Sequence, residues 1–528
     1  MRKSFLITLC LSSLIAFAEQ KTIMVVSDMH VLDTVLFDLG NPTVLYGDHK
    51  MPEHSAELWD SAVARVVTAR PDILLVPGDM TYNGEKLSHL YVAKGLSEIR
   101  KAGTKVYVIP GNHDVSDPAA YHFKDRNGLP AQNLSAQEFA TLYADFGYGD
   151  AVVRLDNETD SLCYMAYPSN DLALIAVNTS QSNLQGHKSA GGITEGALHF
   201  IQACAERARK DGHTNIVLMT HHPVMAHYDG QLRMDASHVG NTTYGVTNQD
   251  SLHKVLTAAH IHAVFNGHAH VNSIAHVSTE NGTLYDIVTG SLSAYPCPMR
   301  TCTLDTETGE LAITGSEIEH YQQEAYLRDT VLAKGAVNSL TEKIYPLFQQ
   351  MQTKINENFF LKKLFGTAFN SVDKDGLKEL VWTSMGTELH HALCAFSRGD
   401  EPDYFPGDSA YNAAMQSYDK MLSLFFGGME VSKAMPLLQQ YGIVPDLGIS
   451  PESIFGSIYY NYVTIDDEEL VTPDGSCTVL GDVNIKAPYL PTALPLVETT
   501  PSAYKRLEGN RVVIYIGDKK VNMNGQTE

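Results

Sequence analysis

The sequence predicts an α/β fold followed by a helical domain, on three observations. Short apolar runs recur, each ending in a polar tip. Stretches of helical periodicity separate the first of these runs. After about residue 320, strand patterns give way to long helical periodicity.

Taken in order, Lys21–Ser27 reads as a strand tipped by Asp28-Met29-His30. Residues 31–52 form a polar loop marked by Gly40, Asn41-Pro42, Gly47 and Pro52. Leu58, Ala62, Val63, Val66 and Val67 fall at helical spacing, predicting a helix over Ser55–Ala69 that Pro71 stops. Asp72–Pro77 is the next strand, tipped by Gly78-Asp79, and a helix over Lys86–Ala102 follows. The apolar run Val106–Ile109 then enters Pro110-Gly111-Asn112-His113-Asp114, a turn that presents an amide, an imidazole and a carboxylate in succession. Alternating strands and helices imply parallel strands with right-handed crossovers. Ligands of such sheets lie beyond the carboxyl ends of the strands, so the tips belong on one edge.

Residues 115–160 read as an insertion with a short helix at Ala136–Tyr143. Ser161–Tyr167 and Asp171–Asn178 form a hairpin turning at Pro168-Ser169-Asn170, before a helix over Glu195–Arg209. The strand Asn215–Met219 is tipped by Thr220-His221-His222-Pro223. After a helix at 249–259, the strand Ile261–Phe265 is tipped by Asn266-Gly267-His268-Ala269-His270. Antiparallel strands are expected at Thr283–Val288 and within Thr301–Ser316. Helices are expected at Tyr326–Met351, Asn356–Phe369, Gly376–Ser397, Tyr411–Phe426 and Ser432–Gln440. Ser371–Gly376 has the look of a calcium loop, but Trp382 stands where a bidentate acid is needed, so a helix-start turn is the reading. The tail is mostly loop with a late strand at Arg511–Ile516. The expected divisions are a targeting segment over 1–18, an α/β domain over 19–320, a helical domain over 321–460 and a tail over 461–528.

At 528 residues, 44% hydrophobic and 19% charged, the chain is globular and too long for one ordinary core. A formal charge of −23 argues against a nucleic-acid duplex as partner, while a small anionic substrate stays open because a bound cation can dominate a pocket. Arg2 and Lys3, the apolar run Phe5–Phe17 and the small-x-small Ala16-Phe17-Ala18 read as a signal peptide, so the chain is expected to be exported, periplasmic or secreted, with no stable membrane span after cleavage. Export permits disulfides, and Cys297 and Cys302 are close enough in sequence to close a small loop. The other cysteines read as buried thiols.

The pooled tips are Asp28, His30, Asp79, Asn112, His113, His221, His268 and His270. These are residue types that hold hard or borderline divalent cations or move protons. Because strand side chains alternate with period two, Asp28-x-His30 and His268-x-His270 each place two side chains on one side of a strand end. A carboxylate such as Asp79 can bridge two ions.

In their order and spacing, the blocks Asp28-Met29-His30, Gly78-Asp79, Gly111-Asn112-His113-Asp114, His221-His222-Pro223 and Gly267-His268-Ala269-His270 resemble the calcineurin-like metallophosphoesterases over about residues 20–320. The resemblance implies an αββα sandwich and two divalent metal ions, drawn from manganese, iron, zinc or cobalt. One ion would be held by Asp28, His30, Asp79 and His270, the other by Asp79, Asn112, His221 and His268. His113 would contact the phosphate or protonate the leaving oxygen, with Asp114 orienting it. His222, Tyr82 and Asn83 would border the substrate. Gly78-Asp79-Met80-Thr81-Tyr82 also fits a purple acid phosphatase signature, but His30 fills the first site without Tyr82. A more distant resemblance, to exported bacterial phosphodiesterases with a C-terminal helical domain, implies hydrolysis of a small phosphodiester, cyclic nucleotides included. The alternatives are a phosphomonoesterase or nucleotidase with the same site, and a non-catalytic metal-containing binding protein.

Overall fold

The computed structural model describes residues 20–38, 50–124, 129–155, 162–180, 191–227, 245–246, 249–319, 323–398, 409–443, 483–486, 503–508, 511–516 and 519–521. The expected signal segment and much of the loop 31–52 lie outside them. The first part of the chain supplies β1 (Gln20–Val25), α1 (Ser55–Ala69), β2 (Ile73–Val76), α2 (Lys86–Lys101) and β3 (Lys105–Val108). After a small hairpin, β4 (Tyr121–His122) and β5 (Leu129–Pro130), come α3 (Ala136–Leu142), β6 (Val153–Arg154), β7 (Tyr164–Ala166) and β8 (Leu172–Ala176). Then follow α4 (Glu195–Lys210), β9 (Asn215–Met219), α5 (Gln249–Ala258), β10 (Ala263–Asn266), β11 (Ile274–Thr279), β12 (Gly282–Val288), β13 (Pro298–Asp305) and β14 (Glu310–Glu317).

The strands form two sheets. One has the order β14-β13-β1-β2-β3, extended at its β14 edge by β15 (Val483–Lys486). The other has the order β11-β12-β10-β9-β8-β7-β6. β1, β2 and β3 are parallel, as are β8, β9, β10 and β12, while β13 runs antiparallel to β1.

Strand alternation sorts the second sheet's side chains into two cores. Leu172, Leu174, Val217, Met219 and Phe265 join Val25, Leu74 and Val106 of the first sheet in one buried cluster. Their neighbours Ala173, Ile175, Ile216, Leu218 and Val264 face the other way, against Phe200, Ile201, Leu252 and Leu256 of α4 and α5. On the first sheet's outer side, α1 and α2 add Leu58, Trp59, Val66, Val92 and Leu96. The layers are therefore helix, sheet, sheet, helix, as the resemblance implies.

Beyond β14 the chain becomes helical. A short α6 (Gln323–Tyr326) leads into a wide-turn π-helical stretch, Leu327–Ala336, and α7 (Val337–Glu357), where periodicity alone predicted one unbroken helix. α8 (Phe359–Asn370), α9 (Lys374–Arg398), α10 (Ser409–Phe425) and α11 (Val431–Gln440) follow. Leu361, Phe365, Phe369, Val381, Phe426 and Leu438 form a core of their own, which Tyr295 of the α/β region joins. Asp373 Oδ1 accepts from Gly376 N at 2.8 Å, so the Ser371–Gly376 segment starts a helix. The tail strand appears over Arg511–Ile516, paired in a three-stranded sheet that the sequence reading did not expect. Among the described residues, no helix is long and apolar enough to cross a membrane.

Cys297 and Cys302 are both buried and unbridged, contrary to the expected loop. Cys302 lies within β13 and Cys297 just before it. Five extended residues span roughly 16 Å, well beyond disulfide reach.

Gly95 lies where α2 crosses α1, and a Cβ there would sit 2.6 Å from Trp59 Nε1 and 2.8 Å from Val63 Cγ2. Helix propensity alone would make Gly95→Ala stabilising by about 1 kcal/mol. Overpacking against a buried tryptophan costs about 1–3 kcal/mol and should win. Thermal unfolding of the variant is expected to show a lowered midpoint; a raised midpoint would show that the α1–α2 contact yields.

Candidate metal centre

The five tips meet at the carboxyl ends of β1, β2, β3, β9 and β10. Backbone bonds stitch them together: Asp28 N to Gly78 O (3.2 Å), His30 N to Asp79 O (3.0 Å) and Gly267 N to His221 O (3.0 Å). Strand alternation does not place the paired side chains, because β1 ends at Val25 and β10 at Asn266. Asp28, His30, Asp79, His268 and His270 all have left-handed backbones, with φ of 50°, 42°, 48°, 66° and 56°. Such conformations are uncommon for residues with a Cβ and persist where the surroundings over-determine them.

Asp28 is held at three points. Ser27 Oγ donates to its Oδ2 at 2.5 Å, His268 N donates to the same oxygen at 2.9 Å, and its backbone carbonyl accepts from Ser291 Oγ at 2.7 Å. Asp79 is held on one side: its Oδ1 accepts from His113 N at 2.8 Å. Its Oδ2 lies 3.7 Å from His30 Nε2 and 3.4 Å from His221 Nε2.

Two groups of side chains are placed to hold metal ions. Asp28, His30, Asp79 and His270 form one, and His221, His222 and His268 the other. Asn112 adjoins the second, its Oδ1 3.0 Å from His221 Nε2. His222 was expected only to border the substrate. Its Nδ1 is 2.9 Å from Thr179 Oγ1, and its Nε2 is buried without a hydrogen-bond partner. Nothing in the sequence distinguished this role.

The donor set fits cations. His30 Nε2 and His270 Nε2 face each other at 3.0 Å, with Asp28 Oδ1 3.3 Å from the latter. His221 Nδ1 donates to the Pro77 carbonyl at 2.8 Å, so in the neutral ring the Nε2 lone pair faces oxygens of Asn112 and Asp79. Lone pairs in such array need a proton or a cation between them. Burial holds His30, His222 and His268 well below the usual imidazole range, leaving neutral rings suited to ligation; for His30 the Lys50 charge adds to this. Burial opposes protonation of His221 too, but Asp79 and Asp28 outweigh it and push the ring up to about 9. Burial alone would raise Asp79, yet the His221 and His113 charges hold it well below the usual carboxylate range. The positive charge this pair draws to itself is the charge a metal would supply.

The role expected of Asp114 needs correction. Its carboxylate does not orient the His113 ring. It accepts from the backbone N–H groups of Gly111 (2.8 Å), Thr81 (3.0 Å) and Met80 (3.2 Å), and from Thr81 Oγ1 (2.9 Å). It thus ties the Gly-Asp tip to the Gly-Asn-His-Asp turn. Burial and the nearby Asp79 push Asp114 up to about 6. Asn83 meets the imidazole, its Oδ1 3.0 Å from His113 Nδ1, and Asp117 Oδ2 lies 3.7 Å from the same nitrogen. Asn83 is itself fixed by its N–H on Glu85 Oε2 at 2.9 Å. Tyr82 packs in an apolar cluster with Leu32, Leu36, Phe37 and Phe123. Sequence reasoning missed Lys50, Thr179 and Asp117. Lys50 and Thr179 had no motif around them, and Asp117 lay just past one.

A family model described as calcineurin-like phosphoesterase matches residues 21–272. No curated protein matches the chain. Solved structures similar to it include a dimetal phosphatase from Danio rerio, 14% identical, covering 56% of this chain and 96% of that one with a TM-score of 0.40. Another is the purple acid phosphatase PPD1 of yellow lupin (Lupinus luteus), also 14% identical, covering 57% of this chain and 52% of that one with a TM-score of 0.37.

A Cβ at Gly111 would fall on the carboxylate and amide of Asp79. Gly111→Ala is therefore expected to displace Asp79, reducing bound metal by elemental analysis and any metal-dependent turnover by roughly 100-fold, as for a misplacement of about 1 Å. Unchanged metal content would show that Asp79 does not hold the ions.

Proposed function

We propose that this chain, whose residues 21–272 match the calcineurin-like phosphoesterase model, is a member of that family and hydrolyses a small phosphodiester, cyclic nucleotides included, at a two-metal site. The observation that carries the two-metal reading is the position of Asp79 Oδ2 between His30 and His221, one from each group. Asp28, His30, Asp79 and His270 would hold the first ion; Asp79, Asn112, His221 and His268 would hold the second, with His222 beside them.

Two divalent ions bound there would lower the pKa of a water toward neutrality and would neutralise the phosphate oxygens. The side chains do the rest. Asp79 holds the two halves in register, because one of its oxygens is fixed by the His113 N–H and the other faces both groups. His113 is the acid. Its side chain is 19% exposed, against complete burial for His30 and His221. Asn83 Oδ1 accepts the Nδ1 proton, so the proton delivered to the leaving oxygen is the one on Nε2. Asp117 lies close enough to stabilise the imidazolium before that transfer.

Ser397 O accepts from Asn272 N at 3.3 Å, two residues beyond His270, so the end of α9 stands close to the site. The basic, apolar and small-residue pattern of residues 1–18 supports export.

Parallel turnover of bis-p-nitrophenyl phosphate, p-nitrophenyl phosphate and 3′,5′-cyclic AMP with manganese tests this reading. The diesters should be preferred, and Asp79→Asn should abolish all turnover. His113→Ala should lower kcat by about 10²–10⁴-fold with metal content retained. A strong monoester preference would make the chain a phosphomonoesterase or nucleotidase. Metal binding with no turnover of any ester would make it a binding protein.

A further inference from the structure

A third group of metal-ligating side chains lies outside the centre described above. Glu324 of α6 and His390 and Cys394 of α9 bring one ligand atom each within 4.8 Å of one another. Cys394 Sγ is 3.4 Å from His390 Nε2, which is 3.7 Å from Glu324 Oε1. Tetrahedral zinc, with bonds of about 2.3 Å to sulfur and 2.0–2.2 Å to nitrogen and oxygen, would separate such atoms by about 3.4–3.6 Å.

The thiol and the carboxylate compete for one nitrogen, with the Tyr295 hydroxyl as a further partner of Cys394. A neutral imidazole nitrogen either donates or accepts, so His390 Nε2 can serve the carboxylate or the thiol but not both. A cation satisfies all three lone pairs at once. His390 and Cys394 are four residues apart on one helix face, a spacing that lets one element chelate. Both are largely buried, while the Glu324 side chain is 59% exposed and leaves the site open to solvent.

The location gives such a site a purpose. Glu324 sits just beyond β14, on a helix anchored by Gln323 Nε2 to Ile318 O at 3.1 Å. The end of α9 is tied to the sheets by Arg398 to Glu317 at 3.0 Å and by the Arg398 guanidinium over the Tyr295 ring at 5.1 Å. Tyr295 lies against Cys394 and follows Ser293, whose Oγ is 3.5 Å from the Asp28 carbonyl.

We propose that Glu324, His390 and Cys394 form a second, structural metal site for zinc or a similar borderline divalent cation, clamping α9 to the start of the helical region beside the α/β sheets. On binding, the Cys394 thiol gives its proton to solvent and the sulfur joins as thiolate. The three side chains leave a fourth position for water.

Cobalt(II) titration of the metal-stripped full chain tests the proposal, because a thiolate ligand gives a near-ultraviolet charge-transfer band and the groups at the strand tips contain no thiol. Wild type should develop that band, with three equivalents bound in all, and Cys394→Ser should lose the band together with one of those equivalents. Glu324→Gln, at an exposed position that folding should tolerate, should weaken the affinity read from the band by at least about tenfold. No band in wild type, or a band of equal strength and affinity in Glu324→Gln, would overturn the proposal and leave the trio a thiol–imidazole contact beside a surface carboxylate.

Discussion

The site depends on one carboxylate used asymmetrically. Asp79 gives one oxygen to the His113 N–H and turns the other toward both His30 and His221. The first contact prevents the carboxylate from rotating away; the second makes it common to both groups. Neighbouring features serve that placement. Gly111 has no Cβ to strike Asp79, and Asp114 ties the turn carrying Gly111 to the strand end carrying Asp79. Two oxygens and several imidazole lone pairs converging in a buried space would repel one another without positive charge. That repulsion is offset by whatever cation the space admits.

The two-sheet architecture is what allows the convergence. Asp28, Asp79 and the Asn112-His113 turn lie on one sheet, and His221 and His268–His270 on the other. β13, running antiparallel to β1, and the parallel arrangement of β9, β10 and β12 set the two sets of carboxyl ends side by side. Left-handed backbone at five strand-tip residues then turns their side chains inward. Those conformations are costly, and the backbone bonds between neighbouring tips and the serine hydroxyls around Asp28 hold them.

The helical region packs around its own core yet is not detached from the sheets. Tyr295 joins that core, and Arg398 and Ser397 at the end of α9 bond to residues of the α/β part. Motions of the helices would thus reach the segment that follows His270 and the serines that support Asp28. A metal between Glu324, His390 and Cys394 would stiffen the helical side of this junction, tying α9 to α6 just beyond β14.

Much of this was legible in the primary structure because it is local. Apolar runs of strand length, helical spacing over Ser55–Ala69 and polar tips in a fixed order reflect short-range propensity and the need to end a buried strand with groups that can meet solvent or a ligand. These determined the alternating α/β pattern, the helices beyond it and the side chains at the strand ends. Other features arise only when distant segments meet. Asp114 looked like a partner for its neighbour His113, but backbone donors from another strand end, at Met80 and Thr81, claim its oxygens first. Asn83 comes to His113 across thirty positions, and His222 turns its Nε2 inward because Thr179 takes its Nδ1. Cys297 and Cys302 are close in sequence and kept apart by extension of a strand, whereas Glu324 and Cys394 are far apart in sequence and brought together by packing. Residue types and local periodicity determine which chemistry the chain can offer. Sheet register and side-chain packing decide which atoms face one another, because those distances depend on contacts between residues far apart in the chain.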